Sequence, residues 1–154
     1  MMQTLFTFLI IAQFLAVLLH DWLQIPGWTH GRQVYAELGK TKMWLGTAFN
    51  GLFPGLAAGF ALYYWQKQAP SFVLTYWLVY CAITVAGAIQ AWWLPYWRGT
   101  DEKTKAMYSK MYAGTIQVLP ARGENPRPNL LHLFFHVLFL ATLVLSAILR
   151  FRTV

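Results

Sequence analysis

The stretch Asn129-Leu-Leu-His-Leu-Phe-Phe-His-Val-Leu-Phe-Leu-Ala-Thr-Leu-Val-Leu-Ser-Ala-Ile-Leu149 is lipid-like except where His132 and His136 interrupt it. A bilayer core takes about 20 apolar residues in a helix, so this run reads as a membrane span over residues 129–149. Ionisable side chains are costly inside a span and face the bundle interior or a polar cavity. Four residues apart, the two imidazoles share one helix face. Asn129 stands where an N-cap belongs.

Three further apolar runs precede it, over residues 5–23, 43–65 and 71–94. With 58% hydrophobic and 11% charged residues in 154, the chain is far more apolar than a soluble domain, which carries about 25% charged residues. The expected fold is all-α: one integral membrane domain over 1–154 with four antiparallel spans in a bundle. No small-residue cleavage site follows Leu19 before His20-Asp21-Trp22, so the first run reads as a retained span. Cys81 is the single cysteine, which leaves no partner for an intrachain disulfide. A net charge of +7 sits in connectors without a motif for reading bases or phosphates, so no nucleic-acid partner is expected.

Between the first two spans, residues 33–38 read as a short interfacial helix. Between the last two, Thr100 can cap a helix over residues 101–113. Met107, Tyr108, Met111 and Tyr112 share one face of it, which predicts an amphipathic helix on the membrane surface. Trp22, Trp44, Tyr63, Tyr64, Trp65, Trp92, Trp93 and Trp97 fall at span ends and read as interfacial belts. Span two carries Gly51, Gly55 and Gly59, a small-residue stripe that admits another helix, from this chain or from a second copy in a homo-oligomer. Pro54 is expected to kink that span and free a carbonyl near Asn50.

Of the twelve Lys and Arg, nine lie on the connector side: Arg32, Lys40, Lys42, Arg98, Lys103, Lys105, Lys110, Arg122 and Arg127. The positive-inside rule then predicts cytoplasmic connectors, outward termini and a plasma (inner) membrane. On that topology His20, Asp21, Asn50, Gln90, His132 and His136 all fall in the cytoplasmic half. They predict one polar cavity, with the loop residues Arg122, Glu124 and Asn125 at its mouth.

Such a cluster admits several chemistries. His132 and His136 with His20, or with a carboxylate from Asp21 or Glu124, could hold a metal ion, and His20 facing a span-four histidine could hold haem. Arg122 and Arg127 could bind the anionic end of an amphipathic molecule or a membrane lipid whose tail lies among aromatic side chains, in a binding protein or an enzyme. Alternatively the histidines and amides are interhelical hydrogen-bond partners in a structural or accessory subunit. Solute transport is a further reading, but paired broken spans are missing. The four-span size looks like that of the glutathione-linked eicosanoid enzymes. Their Arg-rich helix has no counterpart here, since Arg122-Gly-Glu124-Asn125 lies between prolines in a loop, and no residue is transferred from them.

Overall fold

The computed structural model describes residues 2–152 and is 74% helical. Helix α1 spans Met2–Leu19, α2 Gly31–Tyr63 and α3 Ser71–Ala88. A π turn over Ile89–Trp93 joins α3 to the short α4, Leu94–Arg98. Helix α5 covers Glu102–Met111 and α6 covers Leu130–Arg152. Met2–Leu19, Gly31–Tyr63, Ser71–Arg98 and Leu130–Arg152 are each apolar and long enough to cross a membrane. Helix α1 packs on α2 and α6, and α3 packs mainly on α6 and less extensively on α2.

The first span ends at Leu19 rather than near residue 23, and a small ribbon follows in place of all-helical structure. Strand β1, Gln24–Ile25, pairs antiparallel with β2, Thr29–His30. Between them the Trp28 N–H donates to the Ile25 carbonyl oxygen (2.9 Å), with Pro26 and a left-handed Gly27 (φ +77°) in the middle. That is the proline-then-glycine chemistry of a type II turn. The turn docks on the later loop, where the Ile116 N–H donates to the Gly27 carbonyl oxygen at 2.7 Å.

Gly39 (φ +76°, ψ 165°) breaks α2, so residues 31–38 form the short helix expected there and the span follows the break. Only glycine adopts that backbone at no steric cost. Pro54 is accommodated within the helix without a second break, although its missing N–H still deprives the Asn50 carbonyl of its usual donor. At the far end, Gln3 Nε2 donates to the carbonyl oxygens of Tyr64 and Lys67, tying the start of α1 to the turn after α2. Trp77 fills the same end. It is fully buried, lies 4.8 Å from the Phe6 ring and donates to the Ala57 carbonyl oxygen at 3.1 Å. Ala57, Ala61, Val73 and Cys81 are among the other residues of this core.

Proline also explains the π turn. Pro95 has no N–H to give to the Ala91 carbonyl, and the chain there widens so that the Leu94 N–H donates to the Ile89 carbonyl oxygen instead. The Ala91 carbonyl accepts from the Tyr108 hydroxyl at 3.0 Å. Helix α5 is thereby held against the protein: Met111 is buried with Val34 and Met43, and Met107 packs beside them. Its apolar face was read as a membrane-surface face, and the structure places it on α2. Its cap is Asp101 rather than Thr100, with the Thr104 N–H donating to Asp101 Oδ1 at 2.9 Å. Hydrogen bonds from Thr104 hold the Asp101 carboxyl below its usual range.

The glycine stripe divides. A Cβ on Gly55 would meet Phe14 of α1 at 3.3 Å and one on Gly51 would meet Leu18 at 3.6 Å, whereas one on Gly59 meets nothing within 4 Å. Gly51 and Gly55 therefore face α1 of the same chain. Gly55→Leu must displace Phe14, and is expected to lower stability by about 1–3 kcal/mol, the range for an overpacked contact. Gly59→Leu should leave thermal unfolding in detergent unchanged or raise it, and equal loss in both variants would contradict this packing.

Candidate functional site

Away from the Trp77 core, α2 and α3 part and enclose a cavity of about 710 Å³. Small residues at the end of α3 and in the π turn, Gly87, Ala88 and Ala91, leave the space. Val17 of α1 and His20 just after it close one side, Asn50 and Pro54 of α2 another, and His132, Phe135 and His136 of α6 a third. Phe49, Phe53, Val79 and Ile83 belong both to this lining and to the exposed apolar surface, with Ile83 67% and Phe49 65% exposed. The opening between α2 and α3 is therefore edged by apolar side chains.

The polar end of the cavity is built by the start of α6. Asn129 Oδ1 accepts the His132 backbone N–H at 3.0 Å, which satisfies one of the helix's unpaired N-terminal donors. The same oxygen lies 2.7 Å from His132 Nδ1. An amide oxygen only accepts, so the neutral imidazole carries its hydrogen on Nδ1 and keeps a lone pair on Nε2. Asn129 is itself 1% exposed, and its Nδ2 reaches the Trp28 carbonyl oxygen at 3.5 Å, which orients the amide. Trp92 lies against the ring with 4.0 Å between centroids, and Tyr112 meets it at 5.2 Å. Burial, with Asp21 nearby, pushes the Tyr112 phenol well above its usual range, so Tyr112 is uncharged.

His20 meets His132 edge-on at 6.0 Å. Its Nδ1 lies 2.9 Å from the Val17 carbonyl oxygen and its Nε2 lies 3.1 Å from Asp21 Oδ1. Both nitrogens face oxygens. Nδ1 donates to that carbonyl, and Nε2 is engaged by the Asp21 carboxyl. His136 also lines the cavity, is 7% exposed, and has no hydrogen-bond partner at Nδ1.

Four of the residues expected at one cavity, His20, Asn50, His132 and His136, do line it. Asp21 stands behind His20 rather than on the wall. Gln90 is corrected: it is exposed and outside the lining. It sits in the π turn, whose extra residue per turn rotates the face of α3 that an α-helical reading assigns. The loop residues are corrected too. Arg122 and Glu124 are exposed, Arg122 lies 5.1 Å over the Tyr96 ring, and neither reaches the cavity. Asn125 donates to the Tyr96 carbonyl oxygen at 3.1 Å and Arg127 to that of Leu119 at 2.9 Å, so these side chains secure the loop. Among the described residues, no group of three His, Cys, Asp or Glu is placed to hold a metal ion. The expected metal set His20, Asp21, His132 and His136 is not assembled in this geometry, and His20, with both nitrogens engaged, offers none to a haem iron.

Trp92, read from sequence as a belt residue, is a wall of the site at 6% exposure. The signal for it was Pro95, whose effect on α3 reverses which residue turns inward. Deeper along α3, Tyr80 also lines the cavity, and its hydroxyl accepts from Nε2 of the fully buried Gln13 at 2.9 Å. Gln13 Oε1 in turn accepts from the Thr142 hydroxyl at 2.8 Å. No known protein family, curated protein or solved structure matches the chain.

Asn129→Ala removes the cap of α6 and the partner of His132 together. It is expected to lower stability by about 1–2 kcal/mol, and Asn129→Asp to recover most of it because a carboxylate still accepts both hydrogens. Thermal unfolding of both variants checks this, and an unchanged Asn129→Ala protein would remove Asn129 as the organiser of the site.

Proposed function

We propose that this chain binds an amphipathic, lipid-soluble molecule inside a membrane, with the molecule's polar end at the histidines and its apolar part along α3. The observation that carries the reading is a largely apolar cavity with polar groups gathered at one end and a rim of exposed apolar side chains. Its volume falls in the usual range of ligand sites, about 300–1,000 Å³. In a bilayer, exposed Phe49, Phe53, Val79 and Ile83 face lipid, so a ligand enters sideways between α2 and α3 without crossing water.

The four long helices form an antiparallel bundle in this reading. Support comes from the end-to-end contacts: His20 at the end of α1 meets His132 at the start of α6, and Gln3 at the start of α1 meets Tyr64 at the end of α2. Both connectors and the polar end are cytoplasmic by the distribution of Lys and Arg. A reporter fused after Val154 is expected to be active outside the cytoplasm, and cytoplasmic activity there would reverse the side of the site.

An accessory role by helix packing is favoured by a different observation, the Tyr80–Gln13–Thr142 chain, which joins three helices through buried polar atoms. That chain accounts for Gln13, but it leaves the unpartnered His136 Nδ1 without a use.

Gly87 separates the two readings, because a Cβ there meets nothing within 4 Å and the residue lines the cavity. Gly87→Leu is expected to keep or raise stability, since glycine costs about 1 kcal/mol in a helix. It should also abolish co-purification of an apolar molecule detectable by mass spectrometry of organic extracts. Equal extracts from both proteins, or none from either, would sink the binding function.

A further inference from the structure

We infer that the ligand's polar end is an uncharged hydroxyl-type group, able to donate and accept a hydrogen bond, and not a carboxylate, phosphate or ammonium. This rests on the binding function proposed above and narrows its ligand class. Among the described residues, no Lys, Arg, Asp or Glu lines the cavity. The arginines that could have clamped an anion are turned elsewhere, Arg122 over Tyr96 and Arg127 to the Leu119 carbonyl. The one acid beside the wall, Asp21, stands behind His20, whose Nε2 engages its carboxyl at 3.1 Å, and is outside the lining. Tyr112 adds no charge. A charged headgroup brought into this apolar space would lose its hydration and find no counter-ion, a cost that a neutral group avoids.

The hydrogen-bonding groups that remain are complementary to a hydroxyl. His132, held by Asn129 with its hydrogen on Nδ1, presents Nε2 as an acceptor. His136, nine-tenths buried and unpartnered at Nδ1, can donate from one nitrogen and accept at the other. Asn50 supplies an amide that does both. A group that both gives and takes a hydrogen is served at this end, whereas a carboxylate has nothing to offer His132 Nε2. The chain attached to the head would run beside α3 toward Tyr80, about 18 Å from Trp92 at 1.5 Å per residue. At that depth the wall is Val79, Ile83 and Phe53, with the Tyr80 hydroxyl as its polar interruption.

The test uses the purified full chain in detergent with an equimolar mixture of hexadecanol, hexadecanoate and hexadecylammonium, read by native mass spectrometry. Hexadecanol is expected to be retained about tenfold over either charged probe, a difference of about 1.4 kcal/mol. His136→Phe and Asn50→Leu each remove polar partners while filling similar space, and each is expected to erase that preference while retaining thermal stability. Should either variant fail to fold, the other and the wild-type ranking still decide. Hexadecanoate or hexadecylammonium retained as well as hexadecanol overturns the neutral-head assignment and leaves ligand binding standing. If no probe is retained by the wild type, or all are retained equally by Gly87→Leu, the binding function itself fails and this inference with it.

Discussion

The geometry of the site depends on one backbone carbonyl, that of Ala91, which Pro95 cannot serve. Within a membrane an unpaired carbonyl costs several kcal/mol, so the chain must supply another donor. The Tyr108 hydroxyl does so from α5, at 3.0 Å. Three features follow together. The helix widens into a π turn over Ile89–Trp93, Trp92 turns inward to lie against His132, and α5 is fixed over α2 instead of floating on the surface. Asn129 then completes the arrangement from the other side by accepting two hydrogens from His132, which fixes both the start of α6 and the ring's tautomer.

The two ends of the four long helices are packed by different rules. At the end holding Trp77, small side chains on α2 let α3 approach closely, and the contact is apolar and closed by a tryptophan hydrogen bond. At the other end the small residues lie on α3, where no neighbour fills the space they leave. Glycine is thus used in opposite ways on adjacent helices, for contact at Gly55 and for vacancy at Gly87. Polar groups are distributed accordingly: buried Gln13 and Thr142 are paired with each other, while His136 at the open end lacks a partner at Nδ1.

Much of this was legible in the sequence. The four apolar runs, the break before span two, the cap at Asn129 and the shared face of His132 and His136 follow from composition and helical period. That His20 and Asn50 join them follows from topology alone. Helix rotation does not. Gln90 was misplaced because a π turn adds a residue that no periodicity count contains, and the same turn brought Trp92 inside. Arg122 and Glu124 were drawn toward the site by tether length, yet Arg122 lies over the Tyr96 ring and Glu124 is exposed. The ribbon at Gln24–His30 escaped notice although Pro26-Gly27 is its turn, because the same pair also reads as a helix stop. The face of α5 was correctly identified as apolar, but amphipathicity alone does not distinguish a membrane surface from a neighbouring helix.

The central claim is that the space beside His132 and His136 holds a lipid-soluble ligand with a neutral polar head. The most direct measurement is a high-resolution density map of the protein extracted together with its native lipids. The expected result is elongated non-protein density that starts within hydrogen-bonding distance of His132 Nε2 and runs along α3 toward Tyr80. A compact peak bridging His20, His132 and His136, as a metal ion would give, would contradict it, and so would side chains of α2 and α3 closed together with no density between them.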